Sequence, residues 1–227
     1  MLTFTVVVPA AGVGSRMGAS CPKQYLPLAG KFLIEHTLER LLAHPRIERV
    51  VVAIAPDDTF FATLAVASHP RLRVTVGGVE RATSVLNGLA LVESEWVLVH
   101  DAARPCITHQ DMDKLIHQGL ACDGAILGSR VRDTMKRSDA AGFIQKTVDR
   151  EQLWHALTPQ FFRSQPLRMA LEQGLACGAA ITDEASAMES AGFKPLMVEG
   201  RADNIKVTRP EDLALAALYL SQQEAAT

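Results

Sequence analysis

Apolar residues along the first half of the chain follow two alternating rhythms. Short unbroken runs such as Thr5-Val6-Val7-Val8 and Val50-Val51-Val52 are separated by stretches in which apolar positions recur every third or fourth residue. An unbroken run marks a strand buried on both faces, and the wider spacing marks a helix with one dry stripe. This pattern predicts strands over Phe4–Val8, Arg49–Ile54, Arg73–Val76, Trp96–His100 and Ala125–Leu127. Helices are predicted over Phe32–Ala43, Asp57–Ala65, Ala82–Val92 and His109–Leu120. The alternation implies an α/β protein with a mostly parallel sheet covered on both faces, which binds its ligands beyond the carboxyl ends of the strands.

The rhythm breaks between residues 134 and 162. Two extended runs flank Ser138-Asp139-Ala140-Ala141-Gly142, a turn signal, and read as an antiparallel hairpin. A lone two-stranded hairpin is marginal in water. The arm is therefore expected to rest on a second subunit, the alternative being that it folds back on its own sheet. Further on, helices are predicted at Gln165–Gln173 and Asp183–Ala191, a strand at Leu196–Val198 and an extended piece at Asn204–Val207. The last helix is expected to open with Thr208 as N-cap, Pro210 in the first turn and Glu211 three residues past the cap. The whole, residues 1–227, reads as a single domain with arm 134–162 as its appendage.

Composition narrows the partners. A net charge of −2 leaves no broad basic surface for nucleic acid, so any phosphate specificity must come from locally placed cations. No apolar run approaches the ~18 residues of a membrane span, and the start lacks the basic and apolar segments of a leader peptide. The four cysteines form no C-x-x-C pair, which points to neither a zinc site nor a disulfide framework but to a reducing cytoplasm.

The first candidate for chemistry is the stretch PAAGVGSRMGASCPKQ, residues 9–24, between the first strand and the first helix. Gly12 and Gly14 fit the dinucleotide fingerprint, but Met17 stands where its third glycine belongs, and no P-loop Lys-Ser or Lys-Thr follows. What remains is a glycine loop carrying Arg16 and Lys23: backbone N–H groups, a planar fork and a mobile point charge, a set suited to a polyphosphate. The alternative is a plain turn with solvated charges. At the end of a buried strand, HDAARP places Asp101 to hold Mg²⁺ together with a ligand's phosphates, or else to cap a turn. Arg104 is placed for a second phosphate, and His100 reads as a core histidine. In GGVERATSV, Gly78 and Ser84 are candidates for contacts to a base or ribose, or form an ordinary strand-to-helix turn. Lys146 and Arg150 share a strand face with Thr134 across the hairpin, either a pocket for a smaller phosphate or a solvated edge. Asp203 is a candidate second metal ligand and Lys206 a candidate neutraliser of a reacting phosphate, against the reading of a surface pair. No nucleophile elbow, H-E-x-x-H helix or cysteine–histidine pairing is visible. The set describes phosphoryl-type transfer by positioning and charge, without a protein nucleophile.

Six segments carry a family resemblance: VVPAAGVGSRMGASCPKQYL, VLVHDAARPC, VRDTMKR, TVDREQLWHALTPQFF, TDEASAMESAG and VEGRADNIKVTRPEDL. In this order, over nearly the whole chain, they resemble the 2-C-methyl-D-erythritol 4-phosphate cytidylyltransferases of the non-mevalonate isoprenoid pathway. The resemblance implies a Rossmann-like three-layer nucleotidyltransferase fold and a homodimer whose arms complete each other's sites. It implies Mg²⁺-dependent transfer of CMP from CTP to methylerythritol phosphate with release of pyrophosphate. By the same resemblance Arg16 and Lys23 stabilise the α-phosphate and the departing pyrophosphate, and Arg150 and Lys206 position methylerythritol phosphate. Asp101 falls at the metal and substrate site, Arg104 and Thr134 in the substrate pocket, and Ala10, Ala11, Gly12, Gly78 and Ser84 at CTP. Thr134 and Arg150 would act across the dimer. One departure is Val79, where the family often has an acidic residue, which leaves base reading to backbone groups and Ser84. A ribitol 5-phosphate cytidylyltransferase is the nearest rival.

Overall fold

The computed structural model describes residues 2–12 and 21–225. In chain order its elements are β1 (Phe4–Ala10), β2 (Pro27–Leu28), β3 (Lys31–Phe32), α1 (Leu33–Ala43), β4 (Ile47–Ile54), β5 (Leu72–Val76), α2 (Arg81–Leu89) and β6 (Trp96–Val99). There follow α3 (His109–Gly119), β7 (Ala125–Arg130), β8 (Met135–Ser138), β9 (Ile144–Val148), β10 (Trp154–Arg163), α4 (Ser164–Ala176), α5 (Glu184–Ser190), β11 (Leu196–Glu199) and α6 (Pro210–Ala225). Seven strands form the main sheet in the order β11-β7-β10-β6-β1-β4-β5. Only β10 runs against its neighbours, so the sheet is mostly parallel.

The unbroken apolar runs are explained by the two faces they serve. Along β1, Val6 and Val8 pack with α1 and α3, while Val7 packs with α2 on the other side. The same alternation divides Val50 and Val52 from Val51 in β4, and Leu98 from Val97 and Val99 in β6. Both faces are therefore dry, and the result is a three-layer α/β sandwich. Helix α2 lies so close to β1 that a Cβ on Gly88 would stand 2.4 Å from Val7 Cγ1. A third cluster joins α6, through Ala216 and Leu220, to Leu28, Leu33, Ala103 and Val207 beside the sheet's carboxyl end.

Three local expectations are corrected. The hairpin of 134–162 is shorter than its sequence rhythm suggests: Met135–Val148 forms the two-stranded arm, while Trp154–Arg163 enters the main sheet between β6 and β7. Phe161 and Phe162 are wholly buried there, one on each face, and burying both rings outweighs what an exposed arm offers them. Pro159 falls in the register break between Ala156 and Gln160, where its missing N–H costs the ladder nothing. Second, Asp57–Ala65 is not an α-helix but leads into two short 3₁₀ turns, Phe61–Thr63 and Ala65–Ser68. Asp58 Oδ1 accepts the N–H groups of Phe60 and Phe61 at 2.9 and 2.8 Å, and its Oδ2 accepts the Tyr25 hydroxyl at 2.6 Å, so a side chain takes over the start of that segment. Third, the cap of α6 is made by Asp212, not Glu211. Its Oδ2 accepts the N–H groups of Thr208 and Arg209 at 2.8 and 2.9 Å and the Thr208 hydroxyl at 3.0 Å.

Candidate active site

From β1 the chain crosses to β4 on one side and, after β5, returns to β6 on the other. The crevice between the carboxyl ends of β1 and β6 is thus the point where strand order reverses, the usual ligand position in such sheets. A cavity of about 340 Å³ opens there. Ala10, Ala11, Gly12, Lys23, Gly78, Ser84, Asp101 and Lys206, all expected at the site, line it. Gly14 and Arg16 lie outside the described residues.

Backbone forms one wall. Among the described residues, a Cβ on Gly12 would meet no atom within 4 Å. What its small size leaves open is the pocket. Gly77 is different: a Cβ would stand 2.4 Å from Ala11 Cβ and 2.9 Å from Ser84 Oγ, so only glycine lets the second loop press on the first. Ser84 is buried, its Oγ accepting the Gly78 N–H at 3.0 Å and lying 3.2 Å from the Glu80 carbonyl it can donate to. It staples the Gly78 turn at the pocket wall. Val79 stands fully exposed at the rim.

Charge forms the other wall. Asp101 Oδ2 lies 2.9 Å from Lys206 Nζ and 3.3 Å from Arg104 Nε, and Oδ1 lies 3.1 Å from Arg81 Nε. Burial alone would push the Asp101 carboxyl up, but Arg81, Lys206 and Arg104 together hold it well below the usual carboxylate range. Lys23 Nζ donates to the Val207 carbonyl at 3.2 Å, tying the first loop to the segment that carries Lys206. Beneath lies a neutral relay. The Asp101 N–H donates to Thr158 Oγ1 at 3.0 Å, and His100 Nε2 faces the Arg104 carbonyl at 3.1 Å. A carbonyl only accepts, so Nε2 carries the proton, and Nδ1 accepts the Thr158 hydroxyl at 3.0 Å. Burial pushes His100 down to about 4, which keeps this tautomer neutral near neutral pH.

Four expected residues are not brought to the cavity. Arg104 lies beside Asp101, outside the pocket lining, with Nη1 donating to the Asn204 carbonyl at 2.7 Å, which ties it to the Lys206 segment. Asp203, the candidate second metal ligand, is turned to Arg201 Nε, 2.9 Å from Oδ1 and 3.1 Å from Oδ2, outside the pocket lining. Thr134 and Arg150 flank the exposed hairpin, where Arg150 Nη1 donates to the Arg132 carbonyl. Two charged residues were missed. Arg81 lines the pocket, and the buried Glu184 grips it from α5. Both fall in quoted segments, but each looks like an ordinary charge at a helix start, and nothing in the sequence pairs residues 103 positions apart.

Among the described residues no group of three His, Cys, Asp or Glu side chains is placed to hold a metal, and no helix is long and apolar enough to cross a membrane. The donor set does not fit a dedicated protein cage. It is compatible only with a Mg²⁺ held mainly by a polyphosphate's own oxygens, with Asp101 as a single protein ligand through lone pairs not taken by Arg81, Arg104 and Lys206.

Lysines converging on glycine-loop backbone at a switch point make this an α/β protein with a pocket suited to a phosphate-bearing ligand. The particular group follows from comparison: the family model described as "IspD: 2-C-methyl-D-erythritol 4-phosphate cytidylyltransferase" matches residues 4–222, and the chain belongs to that family. It is 72% identical over 222 residues to the 2-C-methyl-D-erythritol 4-phosphate cytidylyltransferase of Aeromonas hydrophila subsp. hydrophila, covering 98% of this chain and 91% of that one. The enzyme of the same name from Tolumonas auensis is 65% identical over 225 residues, covering 99% of both chains. The crystal structure of the Francisella tularensis enzyme superposes with a TM-score of 0.83 at 34% identity, over 96% of this chain and 99% of that one.

Proposed function

We propose that this protein transfers CMP from CTP to 2-C-methyl-D-erythritol 4-phosphate. The observation that carries the reading is the pairing of Lys23 and Lys206 at one pocket, in a chain whose family is that of the cytidylyltransferases. A phosphate oxygen of methylerythritol phosphate attacks the α-phosphorus of CTP, the bond to the β-phosphate oxygen breaks, and pyrophosphate leaves. An ionised phosphate is already a nucleophile, so the site needs no general base. Backbone at Ala10–Gly12 and Gly78 receives the nucleotide, and Lys23, with Arg16, neutralises charge building on the α-phosphate and on the leaving group. Lys206, held by Asp101, meets the incoming phosphate. Asp101 would hold Mg²⁺, which would supply positive charge to offset that of the phosphates.

The arm completes the picture. It presents Phe143 and Ile144, 74% and 67% exposed, and a two-stranded hairpin with such a tip is expected to be covered. We assign the cover to a second copy of the chain, so that Thr134 and Arg150 reach the partner's pocket. The four free thiols suit a reducing cytoplasm.

The deciding assay is pyrophosphate release with CTP and Mg²⁺, offering methylerythritol phosphate or ribitol 5-phosphate. Release with methylerythritol phosphate alone is expected. Preference for ribitol phosphate would keep the chemistry and change the substrate, and release with neither would remove the reaction.

A further inference from the structure

Arg81 and Glu184 are buried or half-buried charges at the site to which the chemistry above gives no task. Glu184 is 0% exposed at the start of α5, and its two oxygens accept Arg81 Nη1 at 2.6 Å and Nη2 at 3.0 Å. Arg81 opens α2 at the pocket wall, and its remaining nitrogen, Nε, donates to Asp101 Oδ1 at 3.1 Å. Its fork is thus turned away from the cavity and only its edge meets the site. Charges alternate along the line: Glu184, Arg81, Asp101, then Lys206 and Arg104 together on Oδ2. A guanidinium released from Glu184 would be free to take both oxygens of Asp101 in a two-pronged grip, displacing Lys206, or to turn its fork on the triphosphate.

We infer that Arg81 and Glu184 are a positioning pair: Glu184 holds the Arg81 fork away from the nucleotide, and Arg81 anchors Asp101 Oδ1 so that Oδ2 stays with Lys206 while substrates bind. Neither residue is catalytic, since both act through Asp101 and Lys206. The inference rests on the nucleotidyl transfer proposed above.

The test compares Arg81→Gln, Glu184→Gln and the double variant by steady-state pyrophosphate release, each well below its own melting temperature. Each single change is expected to lower kcat about 10- to 100-fold, the scale on which small misplacements act, with KM for CTP within about threefold of the parent. In the double variant two amides can hydrogen-bond without charge, so its loss should be no worse than that of the poorer single variant. Should removing the buried carboxylate unfold the chain, Glu184→Asp keeps the charge but falls one methylene short, and an intermediate loss of kcat is expected. Lower melting temperatures with normal kcat would make the pair merely structural and overturn the inference. A large rise in KM for CTP at unchanged kcat in Arg81→Gln would also overturn it, by making Arg81 a phosphate ligand. The parent enzyme is assayed first: no turnover there would fail the proposed reaction, and this inference with it, before any variant is read.

Discussion

Lys206 is fixed from two directions, its amine by Asp101 and its segment by Arg104 and Lys23. Lys206→Ala keeps the second set of ties, so the fold should survive while turnover falls about 10²- to 10³-fold, the cost of one lost electrostatic stabiliser. Pyrophosphate release read beside circular dichroism would check this, and near-normal turnover would end the charge-neutralising role. His100 makes a separate prediction. In the folded chain burial holds it at about 4, against about 6.5 unfolded, so between those values the unfolded chain binds the extra proton. Its contribution is complete above about pH 6.5 and is lost as pH falls toward 4, by up to about 3 kcal/mol. His44, also lowered by burial, acts in the same direction, and the depressed Asp101 adds a loss at still lower pH. Urea unfolding at about pH 7 and about pH 5 should therefore differ measurably, and equal free energies at the two would contradict a neutral buried His100. At this scale the sequence was informative about place, since Asp101 at a strand end does line the pocket, but not about the three cations that converge on it. It was silent on Arg81 and Glu184, whose meaning lies only in each other.

Helix α2 shows how elements constrain one another. Gly88 is a poor helix former, yet Val7 leaves no room for a methyl group there. Gly88→Ala should gain up to about 1 kcal/mol in helix propensity and lose about 1–3 kcal/mol to overpacking. A net fall in the denaturant midpoint is expected, and a rise would mean that the α2–β1 contact yields easily. The elements legible from sequence were those whose pattern is local and doubly buried: β1, β4 and β6 announce themselves as unbroken apolar runs. Those misread answer to distant partners. Trp154–Arg163 has a proline, four polar positions and an antiparallel course, and its place between β6 and β7 follows from two phenylalanines on opposite faces. The Asp57–Ala65 segment lost its helix to a carboxylate shared with Tyr25, which no local window includes.

For the whole molecule, assembly through the arm has a direct measurement. Phe143→Asp combined with Ile144→Asp alters only the exposed tip of the hairpin, so the monomer should fold as before. If two copies exchange arms, sedimentation should show a shift toward monomer, and turnover should collapse because Thr134 and Arg150 are no longer delivered to the other pocket. A variant that remains dimeric and active would remove the exchange.

The tie between Lys23 and Val207 spans 184 positions of the chain. Synthesis proceeds at roughly 5–20 residues per second, so the two halves of this wall emerge many seconds apart. A nascent chain has its glycine loop early but its second lysine almost last, after nearly every strand has left the ribosome. Incomplete chains therefore lack the Lys206 side of this wall until β11, the last strand, has been made.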